Sequence, residues 1–256
     1  MSDFRRRFVR LSVFLLPAFA LLAALNFARG DLRDAVAGLL SPGYRRGGHT
    51  FVMKGKARAN TLGDWINDSI SRLQERDRIY SFKIPKSGFR IEVRSEAGPS
   101  ECDPGSNRIL IRGIADDAPV EKIQPDLSRL IVRAMLREGA PDATYSPWFE
   151  EGVSRFYEGT QTLVGSRKDE LIAIAARNPP ASLAEALGNA RGAYHEAVSH
   201  SIVAFLHDAF PVEKIAEYAA LERKPGPVPA GTFERLFGQD VEKEWRDYLE
   251  RKLKGS

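Results

Sequence analysis

The spacing of hydrophobic residues changes character twice along this chain. From Leu11 to Leu25 the apolar run is almost unbroken and is extended by Phe27 and Ala28, with Arg5, Arg6, Arg7 and Arg10 ahead of it. Such a run lies at the short end of what spans a bilayer, about 17–25 residues. The arginine cluster predicts a cytoplasmic N-terminus with export of everything that follows. Residues 1–30 are therefore expected to be an N-terminal transmembrane anchor or signal segment, contacting the membrane through residues 8–28. An uncleaved anchor fits better than a signal peptide, because Ala23, Ala24 and Ala28 complete no small-x-small cleavage site.

Residues 31–48 carry little apolar periodicity and are expected to form a linker. After them the period becomes two. His49–Met53, Phe89–Arg94 and Arg108–Arg112 alternate as half-buried strands do, with turn signals at Gly98-Pro99 and Asp103-Pro104-Gly105. Between the first two strands, Asn60 or Thr61 is positioned to cap a helix whose face holds Trp65, Ile66, Ser69, Ile70 and Leu73. The period then shifts to that of a helix. Asp126 is expected to cap a helix ending at Gly139, with Leu127, Leu130, Ile131, Ala134 and Met135 on its apolar face and Arg129, Arg133 and Arg137 along the far side. Pro147 opens another helix, and helical periodicity recurs over 167–176, 181–188, 193–208, 211–221, 232–237 and 239–253. The pattern predicts an α+β fold: a small mixed sheet with helices, then a mainly helical lobe.

Composition sharpens this picture. With 256 residues and 43% hydrophobic positions, a sizeable core is available. The formal net charge is +4, and residues 1–30 alone supply it, with five Arg and one Asp. The remainder is formally neutral, and its basic residues lack interleaved aromatics, so no nucleic-acid partner is expected. Cys102 is the single cysteine; internal disulfides are impossible, and no basic residue in its tract would activate it as a nucleophile.

The tract Ser146-Pro147-Trp148-Phe149-Glu150-Glu151-Gly152 carries the strongest chemical suggestion. Zinc hydrolysis of one well-known kind needs two imidazoles a helical turn apart, a carboxylate beside the first, and a third ligand on a following helix. This tract, together with Ala193-Tyr194-His195, Phe233–Gly238 and Glu244-Trp245-Arg246-Asp247-Tyr248-Leu249, resembles the peptidase MA-like domain, a gluzincin metallopeptidase family. The resemblance covers residues 49–253 and implies a zincin-like fold. It also implies that Glu151 stands where that family places its third zinc ligand, and that Tyr194 or His195 stands where the family can steady an oxyanion.

The other half of the site is missing. The helix that should carry His-Glu-x-x-His reads Leu127-Ser128-Arg129-Leu130-Ile131-Val132-Arg133, with arginines at both histidine positions and Leu130 at the glutamate. Arginine has no lone pair to donate to a metal. Two readings of Arg129 and Arg133 stand side by side: a salt bridge to Glu151, or a solvated helix face. Glu151 itself also has a plain structural reading, in the first turn of a helix and four residues before Arg155. His195-Glu196-Ala197-Val198-Ser199-His200 has one residue too many for the zinc signature; five steps of about 100° turn the two imidazoles away from one ion.

These features predict a membrane-tethered protein with a degenerate, non-catalytic gluzincin-like domain, a pseudoenzyme acting by protein or peptide binding or by scaffolding. The alternative is a zinc-dependent metallopeptidase with unconventional ligands. The expected location is the cell membrane, as a single-pass signal-anchor protein with a periplasmic or extracellular domain and an envelope protein or peptide as partner. No cofactor or metal is expected. The remnant-site residues are Arg129, Arg133, Glu151, Tyr194 and His195.

Overall fold

Three short apolar runs lie side by side as the parallel centre of a five-stranded sheet. The computed structural model describes residues 43–76, 79–103, 107–158, 168–188 and 193–254. The chain divides into two units, Met1–Gly43 and Tyr44–Ser256, and apart from Gly43 the described residues belong to the second. Its strands are β1 (Tyr44–Arg46), β2 (His49–Val52), β3 (Arg90–Val93), β4 (Glu101–Asp103) and β5 (Arg108–Ile111), in the spatial order β1-β2-β3-β5-β4. The β2–β3 and β3–β5 pairs are parallel, and both edge strands run antiparallel to their neighbours.

Parallel neighbours need a long crossover. Helix α1 (Lys56–Arg76) supplies it between β2 and β3, laying Ala59, Leu62, Ile66, Ile70 and Leu73 into the core. It starts several residues before the expected cap. The Gly55 carbonyl already accepts the Ala59 amide, and Thr61 donates its hydroxyl to the Ala57 carbonyl inside the helix instead of capping it. On the same face of the sheet Phe51, Ile91, Ile109 and Ile111 are fully buried. Strands β1 and β4 were not expected. Both are three residues long and polar, and their pairing partners rather than their own composition make them strands.

The opposite face of the sheet is built from charge. Arg90, Glu92 and Arg94 alternate outward along β3, and Arg108 stands across from Arg90 on β5. Glu92 is only 3% exposed, beneath the three guanidinium groups at 2.9 Å each. Burial alone would push its carboxyl up, but hydrogen bonds from Arg108, Arg90 and Arg94 outweigh this and hold it down at about 2.

Past a 3-10 turn at Val120–Lys122 the chain is helical. The helices are α2 (Gln124–Gly139), α3 (Pro147–Glu158), α4 (Lys168–Arg177), α5 (Leu183–Gly188), α6 (Ala193–Ala209), α7 (Val212–Glu222), α8 (Thr232–Phe237) and α9 (Val241–Lys254). Helix α2 opens at Gln124 with Pro125 in its first turn, so Asp126 does not cap it; Asp126 accepts the Ser100 hydroxyl at 2.9 Å instead. The apolar face of α2 is the expected one, with Leu127, Leu130, Ile131 and Met135 fully buried. Helices α3 and α6 touch through their backbones. A Cβ added to Gly152 would lie 2.5 Å from the Ser199 carbonyl oxygen and 2.7 Å from Val203 Cγ2. Trp148 packs on Tyr218 and Phe233, joining α3 to α7 and α8, and Trp245 of α9 donates its indole N–H to Ser201 at 3.2 Å. The architecture is thus a small mixed sheet followed by a helical lobe, a generic α+β arrangement.

One expectation requires correction. Among the described residues no helix is long and apolar enough to cross a membrane. Helix α1 has the length, at 21 residues, but carries Lys56, Arg58, Asp64, Asp68, Arg72 and Glu75. Helix α6 is apolar but has 17 residues, a rise of about 25 Å against a hydrocarbon core of about 30 Å. This finding overturns the membrane-tethered reading and all that depended on it: the transmembrane and signal-anchor assignment, the membrane as partner, the single-pass topology and the periplasmic or extracellular location. Residues 8–28, on which that reading was based, lie outside the described residues.

Two outcomes follow from the packing. Gly152→Ala must separate α3 from α6, and urea unfolding should show a loss of about 1–3 kcal/mol; a variant as stable as the parent would mean that the helices are not in backbone contact. Glu92, with its carboxyl depressed from 4.5 to about 2, contributes stability that is fully present above pH 4.5 and is lost as pH falls toward 2. The contribution is about 3 kcal/mol. Urea midpoints of the parent and Glu92→Gln should therefore converge as the pH drops through that window, and a gap independent of pH would refute the assignment.

Candidate functional site

Helices α2 and α3 lie against each other with charged stripes facing. On α2 a guanidinium recurs every four residues, at Arg129, Arg133 and Arg137, which places all three on one face. On α3 the Ser146 carbonyl accepts the amides of Phe149 and Glu150 and fixes the first turn. Trp148 and Phe149 enter the core, and Glu150 and Glu151 turn to α2.

The pairing is dense. Arg137 holds Glu150 through both carboxylate oxygens, the Nη2 bond being 2.7 Å. Arg133 donates to Glu151 Oε2 and lies 3.7 Å from Glu150. Arg155, one turn on along α3, donates to Glu151 Oε1 at 3.0 Å, to Glu158 at 2.6 Å and to Glu196 on α6. Arg129 completes the set less closely, with ion pairs of 3.8 Å to Glu151 and to Asp126. Its residue is 9% exposed and its Nε is buried without a hydrogen bond. Four arginines thus meet four glutamates on three helices, with Asp126 at the margin.

Burial by itself would raise the Glu151 carboxyl. Arg133, Arg129 and Arg155 together reverse this and hold it below the ordinary carboxylate range. Arg129 is pushed the other way, lowered by burial and by the neighbouring Arg155. Glu151 is therefore an anion whose two oxygens are already occupied by guanidinium groups. A metal ion at this point would have to displace Arg133 and Arg155 and would stand among fixed cations.

The structure brings together Arg129, Arg133 and Glu151, and the solvated-face alternative does not describe Arg129. It does not bring Tyr194 to them: that side chain is largely exposed and its phenol donates to the Asn178 carbonyl. His195 is buried beside the Ser199 hydroxyl, 3.2 Å from Nε2. His200 is buried on the same regular helix next to Phe156, so the two imidazoles do not converge. Among the described residues no three His, Cys, Asp or Glu side chains are grouped so as to hold a metal ion. The Cys102 thiol is pushed up to about 11, chiefly by burial, despite Arg137 and Arg133 nearby, which suits a passenger rather than a nucleophile. Sequence reasoning missed Glu150, Glu158 and Glu196 as members of the network. The four-residue spacing of the arginines was a usable signal for it; the arrival of Glu196 from α6 had none.

No protein-family model matches the chain, and no curated protein matches it either.

Removing the central anion should be costly. Glu151→Ala leaves the buried Arg129 and Arg155 and the half-buried Arg133 without their shared partner, and chemical denaturation should register about 3–5 kcal/mol. Replacing both partners, as in Arg133→Met with Glu151→Leu, should cost clearly less than the two single changes added together. Additive effects would mean that the pair is not coupled.

Proposed function

We propose that residues 49–253 form a zincin-like domain of the gluzincin type that has lost its catalytic apparatus and works by binding a protein or peptide. The observation that carries this reading is the meeting of Arg129, Arg133 and Arg155 on Glu151. In the family that the sequence resembles, Glu151 would be the third zinc ligand and positions 129 and 133 would carry the other two. Here those two positions supply cations, and their guanidinium groups take the carboxylate that the metal would need. The carboxylates of this arginine–glutamate ladder are bound to guanidinium groups and His195 lies beside Ser199, so neither is placed as a general base. Hydrolysis through unconventional zinc ligands would require three donors about 2.0–2.2 Å from one point, and the side chains around Glu151 are arginines.

Two features next to the ladder suit a bound chain. Strand β4 lies against α2 and ends the sheet, paired with β5 on one side and with no further strand among the described residues on the other. An exposed edge of this kind is where an extended segment of a partner adds by main-chain hydrogen bonding. At the Arg137 end of the ladder a cavity of about 400 Å3 opens between Arg137, Pro141 and Tyr145, large enough for one or two side chains.

Metal analysis of protein purified without a histidine tag tests the proposal directly. Zinc should be far below one per chain, and Glu151→Gln should leave it unchanged. Near-stoichiometric zinc that disappears in Glu151→Gln would overturn the reading.

A further inference from the structure

One buried carboxylate, unlike Glu92 and the glutamates of the α2–α3 network, forms no ion pair with an arginine among the described residues. Glu222 closes α7 and is 0% exposed. Its Oε2 accepts the Ser146 amide at 2.8 Å, in the residue just before α3, and the hydroxyls of Ser146 and Tyr218 are its other hydrogen-bonding neighbours. The charged and titratable groups around it are all committed elsewhere or carry no positive charge. Tyr218, one turn back on α7, packs its ring on Trp148 and Phe149, and its phenol, which carries no positive charge, hydrogen-bonds to the Glu222 carboxyl. Tyr145 donates to the Leu136 carbonyl. The Arg223 guanidinium reaches Ser81, Arg137 is bound to Glu150, and Glu234 on α8 is itself acidic.

We propose that Glu222 is a proton-operated latch between α7 and the start of α3, closed when the carboxyl is neutral and loosened when it ionises. A neutral carboxyl can be buried here at modest cost, because its carbonyl oxygen accepts the Ser146 amide. An ionised one places a full charge where no cation compensates it. Burial accordingly raises this carboxyl above the ordinary range, only partly opposed by hydrogen bonds from Ser146 and Tyr218. The latch lies at a sensitive place. Ser146 also receives the amides that begin α3, the helix bearing Glu150 and Glu151, and Trp148 links that helix to Tyr218 and Phe233.

The sign of the effect follows from linkage. Between the ordinary carboxylate value and the raised one, the closed state keeps a proton that the open state releases. Closure is thus strongest below that interval and weakens as pH rises through it, by up to about tenfold per pH unit, before levelling off. This is opposite in sign to the contribution of Glu92.

Hydrogen–deuterium exchange on the full chain, corrected for the intrinsic rate, reads the latch at about pH 5 and about pH 8. Segments 146–150 and 212–222 should lose protection at the higher pH in the parent, and Glu222→Gln, neutral at both, should abolish that loss. Equal pH dependence in parent and Glu222→Gln would overturn the proposal. Should the substitution impair folding, a carbon-13 titration of the Glu222 carboxyl in the parent decides independently: a midpoint above the ordinary carboxylate range is expected, and one at or below it would refute the latch.

Discussion

The Glu151 carboxylate is the point at which three helices must agree. An anion at this depth is tolerable only if cations reach it, and they come from two directions, Arg129 and Arg133 on α2 and Arg155 on α3 itself. Arg155 then passes the constraint on, because its remaining nitrogens bind Glu158 and, across the helix boundary, Glu196 of α6. The next residue, Gly152, fixes the distance where Glu151 fixes the charge. Its missing side chain lets α6 approach until the Ser199 carbonyl sits against the α3 backbone. Position 151 thus determines which faces meet, and position 152 determines how closely.

A network of this kind is not a cheap way to hold helices together. Each buried ion gives up its hydration, and mutual attraction restores that only where geometry is good and hydrogen bonds are complete. Most members satisfy this: Arg137 grips Glu150 at both oxygens, and Arg155 uses all three nitrogens. Arg129 does not. Such a network adds less to stability than to specificity, since a one-residue slip of α2 would put Leu130 and Ala134 where Arg129 and Arg133 now meet Glu151 and leave that buried carboxylate short of cations. The chemical consequence is equally definite. Guanidinium groups are permanently charged and donate hydrogen bonds only, so they bind carboxylates or carbonyls and generate no nucleophile.

Much of the fold was legible in the residue pattern. The three central strands, the apolar face of α2 and the helical second half all follow from periodicity, because in each the buried side chains repeat at the interval of the element. Strands β1 and β4 were not legible, since three polar residues become a strand only by finding a neighbour to pair with. Asp126 misled as a cap because Pro125 sets the first turn and Ser100, far away in sequence, takes the carboxylate. At the site, the missing histidines were plain in the sequence and so was the four-residue spacing of the arginines. Whether those arginines faced water or Glu151 depended on how two helices cross, and no local pattern encodes that. The placement of Tyr194 failed for the same reason: a phenol on the first turn of α6 found a backbone carbonyl at Asn178 rather than the groove.

Three buried glutamates show how completely environment decides the behaviour of one residue type. Glu92 and Glu151 are both surrounded by three arginines, and in both burial loses to the neighbouring positive charge, so each remains an anion to lower pH than a free carboxylate. Glu222 is as deeply buried as either, yet it meets one backbone amide and two tyrosines, and there burial wins. The first two are struts whose charge is balanced in place, one on the sheet and one between helices. The third has no counter-charge, so the proton itself supplies neutrality. This places one structural anion and the titrating carboxyl near the same end of α3: Glu151 on its flank, Glu222 at its start. The helix that carries the candidate site is therefore held on its flank by a carboxylate kept below the ordinary range and at its start by a carboxyl raised above it, and the proposed proton control of α3 acts through Ser146.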